Sequence, residues 1–469
     1  MEPSANHRQT LLEALSGHVA EFDLERAPAE TVARLKACLL DLLGCLLTGT
    51  ATEPAGQVAE MVERQGGLPQ ASVAGRSRRV PAEWAALANG VAAHALELDD
   101  AHRFATGLHP AATVIPAALA TAEMVGASGK ELLQAILVGY DVAGRIGTAL
   151  NPSHRYRGFH STGTIGPFGA AAASARLLGL RPQEVVAALS LVASQGAGVF
   201  EFLVDGSTVK LLHAGWAAQK GVQAALLAQA GLSGPASALE GREGFARAYA
   251  EELSLEGVAE QLGSCFEVDR SYFKLHAACG QTFSAIDAAM ALRDRLGISG
   301  KEAAVEGTLM GLQSIEVRTY RAAAVLDNRE PTTERQARFS IPYCVGTALI
   351  LGNAGLEAFG PEARNLPAIR YIASMTHVLE SAPITASFPA KRTAVLEAVF
   401  SDGRRLTETV DYPRGMPENP ASVEELEEKF HQLAAARLDL ASRDLMVRQV
   451  ESLQDLESIA ELTSSLRSA

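Results

Sequence analysis

Aromatic side chains are scarce in this 469-residue chain, at 5% of positions with only two tryptophans. A sheet-rich sandwich draws heavily on aromatic and β-branched residues, so the shortage argues against one. The five cysteines (Cys38, Cys45, Cys265, Cys279 and Cys344) are an odd number without the spacing of a metal site. They read as reduced thiols and lead us to expect a soluble, cytoplasmic protein rather than a disulfide scaffold. Positive charge is in deficit: 41 Lys and Arg face 54 Asp and Glu, for a formal net charge of −13. No global basic footprint for nucleic acid remains, although a pocket can be locally cationic on an acidic protein. No apolar run approaches the ~18 residues of a membrane span. The opening MEPSANHRQTLLEALSGHVAEF carries neither the basic nor the apolar region of a signal peptide. Tandem repeats at solenoid periods and low-complexity tracts are missing as well.

What is present in quantity is small. Alanine and glycine abound, hydrophobic residues make up 48% and charged residues 20%. Small residues at this density suit closely packed helices, and the length predicts two domains. Ser128-Gly-Lys-Glu131 fits a capping box, with helical apolar spacing after it. Pro182 stands where a first-turn proline belongs. Around Phe266–Lys274 the texture changes: Ser314–Tyr320 alternates like a strand, and Ser401-Asp402-Gly403 between alternating runs predicts a hairpin. A second Ser-Gly-Lys-Glu, Ser299 to Glu302, predicts another helix start. From Ser422 a helical pattern resumes behind the capping box Ser422-Val-Glu-Glu425. The expected architecture is therefore mainly α. One all-helical domain is built from both chain ends (1–266 and 415–469), with a smaller α+β lid domain (267–414) inserted.

Four segments can carry chemistry. Between His94 and His109 three acids (Glu97, Asp99, Asp100) and three histidines (His94, His102, His109) fall close together. A carboxylate beside an imidazole orients it and tunes its pKa, as acid–base chemistry requires. A metal site is the competitor, but the spacing matches no known ligand pattern, and His109 can equally be a helix-capping or satisfied core histidine. In RYRGFHSTGTIGPFGAAAASARLLGL, Gly163, Gly166 and Gly169 precede an alanine-rich helix that Ser161 or Thr162 can cap, with His160 at its mouth. A helix start offers free amides to a carboxylate, whereas the bland alternative is that these glycines only permit close packing. Lys210 lies among apolar and small residues with His213 three positions on, so it either snorkels to solvent or holds an anion. At the expected domain junction Lys274, His276 and Cys279 fall within six residues. His276 can activate the thiol, or Cys279 can be buried and inert.

Taken in order, ELDD…HP…IPAALA, GFHSTGTIG, DGSTVKLLHAG, YFKLHAACGQTF, ARFSIPYCVGTAL and YPRGMPENP…EELEEKF resemble the MmgE/PrpD family along nearly the whole chain. The resemblance implies the helical domain with its inserted lid, a homodimer, and a site at the domain junction with no metal or organic cofactor. The family's activities include 2-methylcitrate dehydration, cis-aconitate decarboxylation and iminodisuccinate epimerisation. Motif by motif it implies catalytic roles for Glu97, Asp100, His109, His160 and Lys210. Substrate contacts are expected from Lys274, with Cys279, His276, Ser161 and Thr162 beside it. Three departures stand out. Ala101 replaces the decarboxylases' threonine, and Cys279 replaces their histidine. Gly280 and Phe283 stand where many relatives have arginine and a further histidine. These changes argue against cis-aconitate decarboxylase and thin the cationic clamp for a third carboxylate.

Removing a proton next to a carboxylate needs a base within hydrogen-bond reach and positive charge at the oxygens where charge develops. The sequence thus predicts a cofactor-free lyase acting on a small di- or tricarboxylate, dehydratase-like, with an epimerase as the alternative. A metal-dependent hydrolase and a non-catalytic helical scaffold are the rivals from other classes.

Overall fold

A computed structural model describes residues 9–300, 309 and 311–467 of the chain. Helices dominate it. The longer ones are α1 (Leu11–Glu21), α2 (Ala29–Gly49), α3 (Glu53–Gln65), α4 (Ala82–Ala93), α5 (Pro110–Val125) and α6 (Gly129–Leu150). They continue with α7 (Gly166–Leu177), α8 (Pro182–Ala193), α9 (Val209–Gln229), α10 (Phe283–Arg295) and α11 (Ile341–Leu351). Near the end come α12 (Val423–Ala434) and α13 (Leu440–Glu451). Both capping boxes form as expected. The Ser128 and Ser422 hydroxyls accept from the amides of Glu131 and Glu425, whose carboxylates reach back to the cap. Pro182 opens α8. Glu302, the far end of the third expected box, lies outside the described residues. No described helix is long and apolar enough to cross a membrane.

The first apolar core joins α1 through α9 to α12 and α13, so residues from both ends of the chain share it. Within this core α9 packs on α4 and α7, α7 on α5 and α6, and α12 on α2. Small residues set how closely these helices approach. A Cβ on Gly90 of α4 would sit 2.8 Å from the Cα of Gly215 of α9, so the two backbones touch there. Bulk on either side would force them apart.

A second apolar core is built mostly from residues between Tyr272 and Met416, including α10 and α11, with Cys45, Leu98, Ala101 and Leu433 joining it from the helical segments. It carries the four-stranded sheet, built from β5 (Leu312–Thr319), β6 (Thr376–Glu380), β7 (Ala394–Phe400) and β8 (Arg405–Val410), in the order β6-β5-β7-β8. β5 and β6 are parallel, and the other neighbours antiparallel. The expected hairpin is β7–β8, with Gly403 at φ 88° in its turn. Two short ribbons complete the strands: β1 (Ala71–Ser72) with β2 (Arg79–Val80), and β3 (Ala101–His102) with β4 (Ser271–Tyr272). The β3–β4 ribbon ties the acidic segment to the chain passing between the two cores.

A candidate acid–base site between the two cores

The glycine contact between α4 and α9 determines what meets one turn further on. His94 caps the C-terminus of α4, four residues after Gly90, and Lys210 stands in the first turn of α9, five residues before Gly215. The antiparallel crossing brings them together, with Lys210 Nζ 2.9 Å from His94 Nε2. An ammonium can only donate, so His94 Nε2 is bare and its proton sits on Nδ1, which donates to Asp99 Oδ2 at 2.8 Å. Burial lowers the His94 pKa to about 4, so this imidazole is neutral near pH 7.

Between His94 and Asp99 the chain makes a tight excursion in which Glu97 adopts φ 57°, the left-handed region that non-glycine residues seldom occupy. Three buried cations hold that excursion by three consecutive carbonyls. Arg338 Nη1 donates to Leu96 O at 3.0 Å, Lys274 Nζ to Glu97 O at 2.9 Å, and Lys429 Nζ of α12 to Leu98 O at 2.8 Å. The Glu97 carboxylate pairs with Lys210 through Oε1 and with Lys274 through Oε2 at 3.2 Å. Burial would raise its pKa, but the two ammoniums outweigh that and hold it well below the usual range. Lys274 is also buried, and the Glu97 and Asp99 charges keep it protonated against that burial. Desolvation lowers Lys210, with Glu97 opposing.

Asp100 behaves in the opposite way. It has no cation beside it, only Tyr140 Oη, which donates to Oδ2 at 2.9 Å, and the Ala111 amide at 3.0 Å. Burial pushes its carboxyl up to about 8, beyond what these two donors offset. At neutral pH it is therefore a protonated acid that seats the start of α5.

His109 is the N-cap residue of α5, without a side-chain cap bond. Its Nδ1 lies 2.7 Å from Asp100 O and 3.1 Å from Asp99 Oδ2, both acceptors, so Nδ1 carries the proton. Nε2 bonds to no described residue, and burial lowers the imidazole's pKa. The result is a neutral imidazole with its basic nitrogen unused. His160 packs edge-on to His109 with ring centroids 6.3 Å apart, and its Nδ1 lies 2.9 Å from His213 Nδ1. Burial first, and His213 next, keep His160 far below its ordinary pKa.

These groups face a cavity of about 40 Å³. Glu97, His109, His160 and Lys210 form one side of it, while Tyr272, Cys279, Gly280, Gln281 and Phe339 contribute to the other. Of the residues singled out from sequence, the structure thus brings Glu97, His109, His160, Lys210 and Cys279 to one cavity. Lys274 and Asp100 stand directly behind that wall. His276 turns away to Asp287, with Nε2 and Oδ1 2.8 Å apart. Ser161 and Thr162 differ from expectation, because neither caps a helix. Their hydroxyls donate to Thr106 O and Gly107 O at 2.8 Å, and Thr162 Oγ1 accepts from the His109 amide at 3.1 Å. They position the histidine loop instead. Gly169 meets the backbone of Gly139 on α6, the packing role allowed for the glycine series. Cys279 is a half-buried thiol whose pKa desolvation raises, which leaves it uncharged.

His94, His109 and His160 each offer a nitrogen within 4.8 Å of the others, a triad that could suit a metal. The donor set argues otherwise. Both nitrogens of His94 are engaged, and an ion there would displace the Lys210 ammonium while facing that of Lys274. Sequence reasoning missed Arg338 and Lys429, and also Arg155, whose guanidinium lines the cavity lying over the Phe200 ring at 3.6 Å. None of the three has a local sequence sign.

Comparison with known proteins adds to this geometry. The model of the MmgE/PrpD N-terminal domain matches residues 13–257, and that of the MmgE/PrpD C-terminal domain matches residues 276–454. The chain is 30% identical to the cis-aconitate decarboxylase of Homo sapiens over 447 residues, covering 93% of this chain and 90% of the relative. It is 28% identical to the cis-aconitate decarboxylase-like protein oryM of Aspergillus oryzae, covering 96% and 95%. To the 2-methylcitrate dehydratase of Salmonella typhimurium it is 26% identical, covering 89% and 88%.

Proposed function

The chain belongs to the MmgE/PrpD family, and from that membership and its site we propose that it is a lyase acting on a small di- or tricarboxylate. The reaction removes a proton from the carbon next to a carboxylate and expels a β-substituent such as water. One observation carries the reading: His109 presents an unprotonated, unbonded Nε2 to the cavity, beside the Lys210 ammonium. Asp99 and the Asp100 carbonyl fix its tautomer, so His109 is the base. Lys210, with Lys274 behind it, stabilises the charge that builds on the substrate carboxylate oxygens. His109, once it has taken the substrate proton, is the imidazolium that returns it to the leaving group, and His160, a neutral imidazole in the same cavity, can offer a hydrogen bond there. Relatives named as a decarboxylase and a dehydratase support the class, since both names describe bond cleavage in a small polycarboxylate. The same groups would support an epimerase, as for iminodisuccinate, if the proton returned to the opposite face. A second imidazole in the same cavity, His160, is the observation that favours keeping this alternative.

A further part of the proposal concerns motion. A cavity of about 40 Å³ admits little more than a water or two. Its lining combines Lys210 of α9, a helix of the first core, with Tyr272, Ala322 and Leu326 of the second. We take 267–414 as a lid that parts from the helical domain formed by 1–266 and 415–469, admits the acid and closes over it.

Incubating the enzyme with di- and tricarboxylates in D₂O tests the chemistry. Loss of water with appearance of an alkene is the expected result, and α-deuteration without alkene identifies the epimerase. His109→Gln should lower either rate by ~10²–10⁴. Wild-type enzyme that neither exchanges nor converts any such acid would overturn the proposal.

A further inference from the structure

The charges at the reacting end of the cavity cancel. Glu97 is ionised between Lys210 and Lys274, Asp99 carries a second negative charge against His94 and His109, and Asp100 keeps its proton at neutral pH. A polyanionic substrate entering that end alone would meet no net attraction. Arg155 changes the balance. Its guanidinium lines the same cavity and stacks on Phe200, whose ring packs edge-on to His160 with centroids 4.9 Å apart. No described acidic side chain pairs with it, and no described acceptor takes a hydrogen bond from it. The ionisable groups that bear on it are the Cys279 thiol and the Tyr156 phenol. Burial raises the pKa of both, so neither supplies a counter-charge.

We propose that Arg155 is the specificity-determining residue of this site and binds a second substrate carboxylate, across Phe200 from His160. The inference rests on the function proposed above and names the residue by which the site would select acids with at least two carboxylates over monocarboxylates. The reacting carboxylate sits by Lys210, while the other is held by the planar N–H fork of a guanidinium that stacking has already oriented. A monocarboxylate leaves that fork empty. Because Arg155 is half-buried and bonded to no other side chain, replacing it removes a ligand contact without unpairing a protein group.

Succinate and butyrate, alike in length but with two carboxylates and one, separate the possibilities by calorimetry on the intact protein. Wild type should bind succinate more tightly than butyrate. Arg155→Gln should weaken succinate roughly 10- to 100-fold and leave butyrate unchanged, and Arg155→Lys should recover part of the loss. Succinate affinity within twofold of wild type in Arg155→Gln overturns the assignment and leaves the function standing. Wild-type protein that binds neither acid overturns the function and the assignment together.

Discussion

The two walls of the cavity are built on different principles. The helical wall is charged and held by ion pairs and charge-assisted hydrogen bonds: Glu97 between two ammoniums, and neutral His94 and His109 on Lys210 and Asp99. The facing wall presents the neutral groups of Tyr272, Cys279, Gly280, Gln281 and Phe339, and is held by packing around one buried cation, Arg392, which donates to Gln281 Oε1 at 3.3 Å and lies over the Tyr272 ring. A buried ion network tolerates little displacement, because each charge depends on its partner for solvation. Packed neutral groups can separate and close again at lower cost. On the function proposed above, chemistry belongs to the first wall and access to the second.

The contrast can be broken from the charged side with the largest effect. Lys210→Met leaves His94 Nε2 without its donor and Glu97 with a single ammonium. We expect a loss of about 3–5 kcal/mol and loss of turnover together, read by urea unfolding at pH 7 and by the D₂O assay. A variant of full stability would show that the network is not what holds this wall. On the neutral side, Gly280→Ala places a Cβ 2.2 Å from Tyr272 Oη, and Tyr272 is itself buried. The overpacking should cost about 1–3 kcal/mol and weaken succinate while sparing the His109 base, so the pH profile of exchange should keep its shape. A displaced profile would mean that the walls are not independent.

Asp100 sharpens the comparison within the charged side, as an acid whose side-chain partners are only a phenol and a backbone amide. Its carboxyl titrates at about 8 when folded and at about 3.9 when unfolded. Between those values the folded state keeps a proton that the unfolded state has lost. Its contribution to stability is therefore complete below about pH 4 and is lost as pH rises toward 8. Asp100→Asn should flatten that decline by up to about 1.4 kcal/mol per pH unit, measured as unfolding free energy from pH 5 to 8. An unchanged slope would show that Asp100 is ionised in the fold.

How much of this was legible beforehand follows the range of the interactions. Capping boxes at Ser128 and Ser422, the proline of α8 and the Asp402-Gly403 turn are decided within a few residues, and they form as read. The density of acids and imidazoles from His94 to His109 marked the charged side, because those groups share one loop. Arg155, Arg338 and Lys429 carried no such mark. Their roles depend on which helices cross, and the crossing is set by pairs such as Gly90 and Gly215, a closeness that only the folded chain reveals. Ser161 and Thr162 were read for a local job and have a distant one, since their hydroxyls go to carbonyls more than fifty positions away.

The three cations on Leu96, Glu97 and Leu98 have a consequence for biosynthesis. Lys274 and Arg338 arrive well after that loop has left the ribosome, and Lys429 arrives almost last. A nascent chain can pack its early helices, but it cannot fasten Glu97 in its left-handed turn until α12 has been made and has docked on α2. Catalytic competence thus waits on α12, and a product cut short before Lys429 would be folded in part and inert.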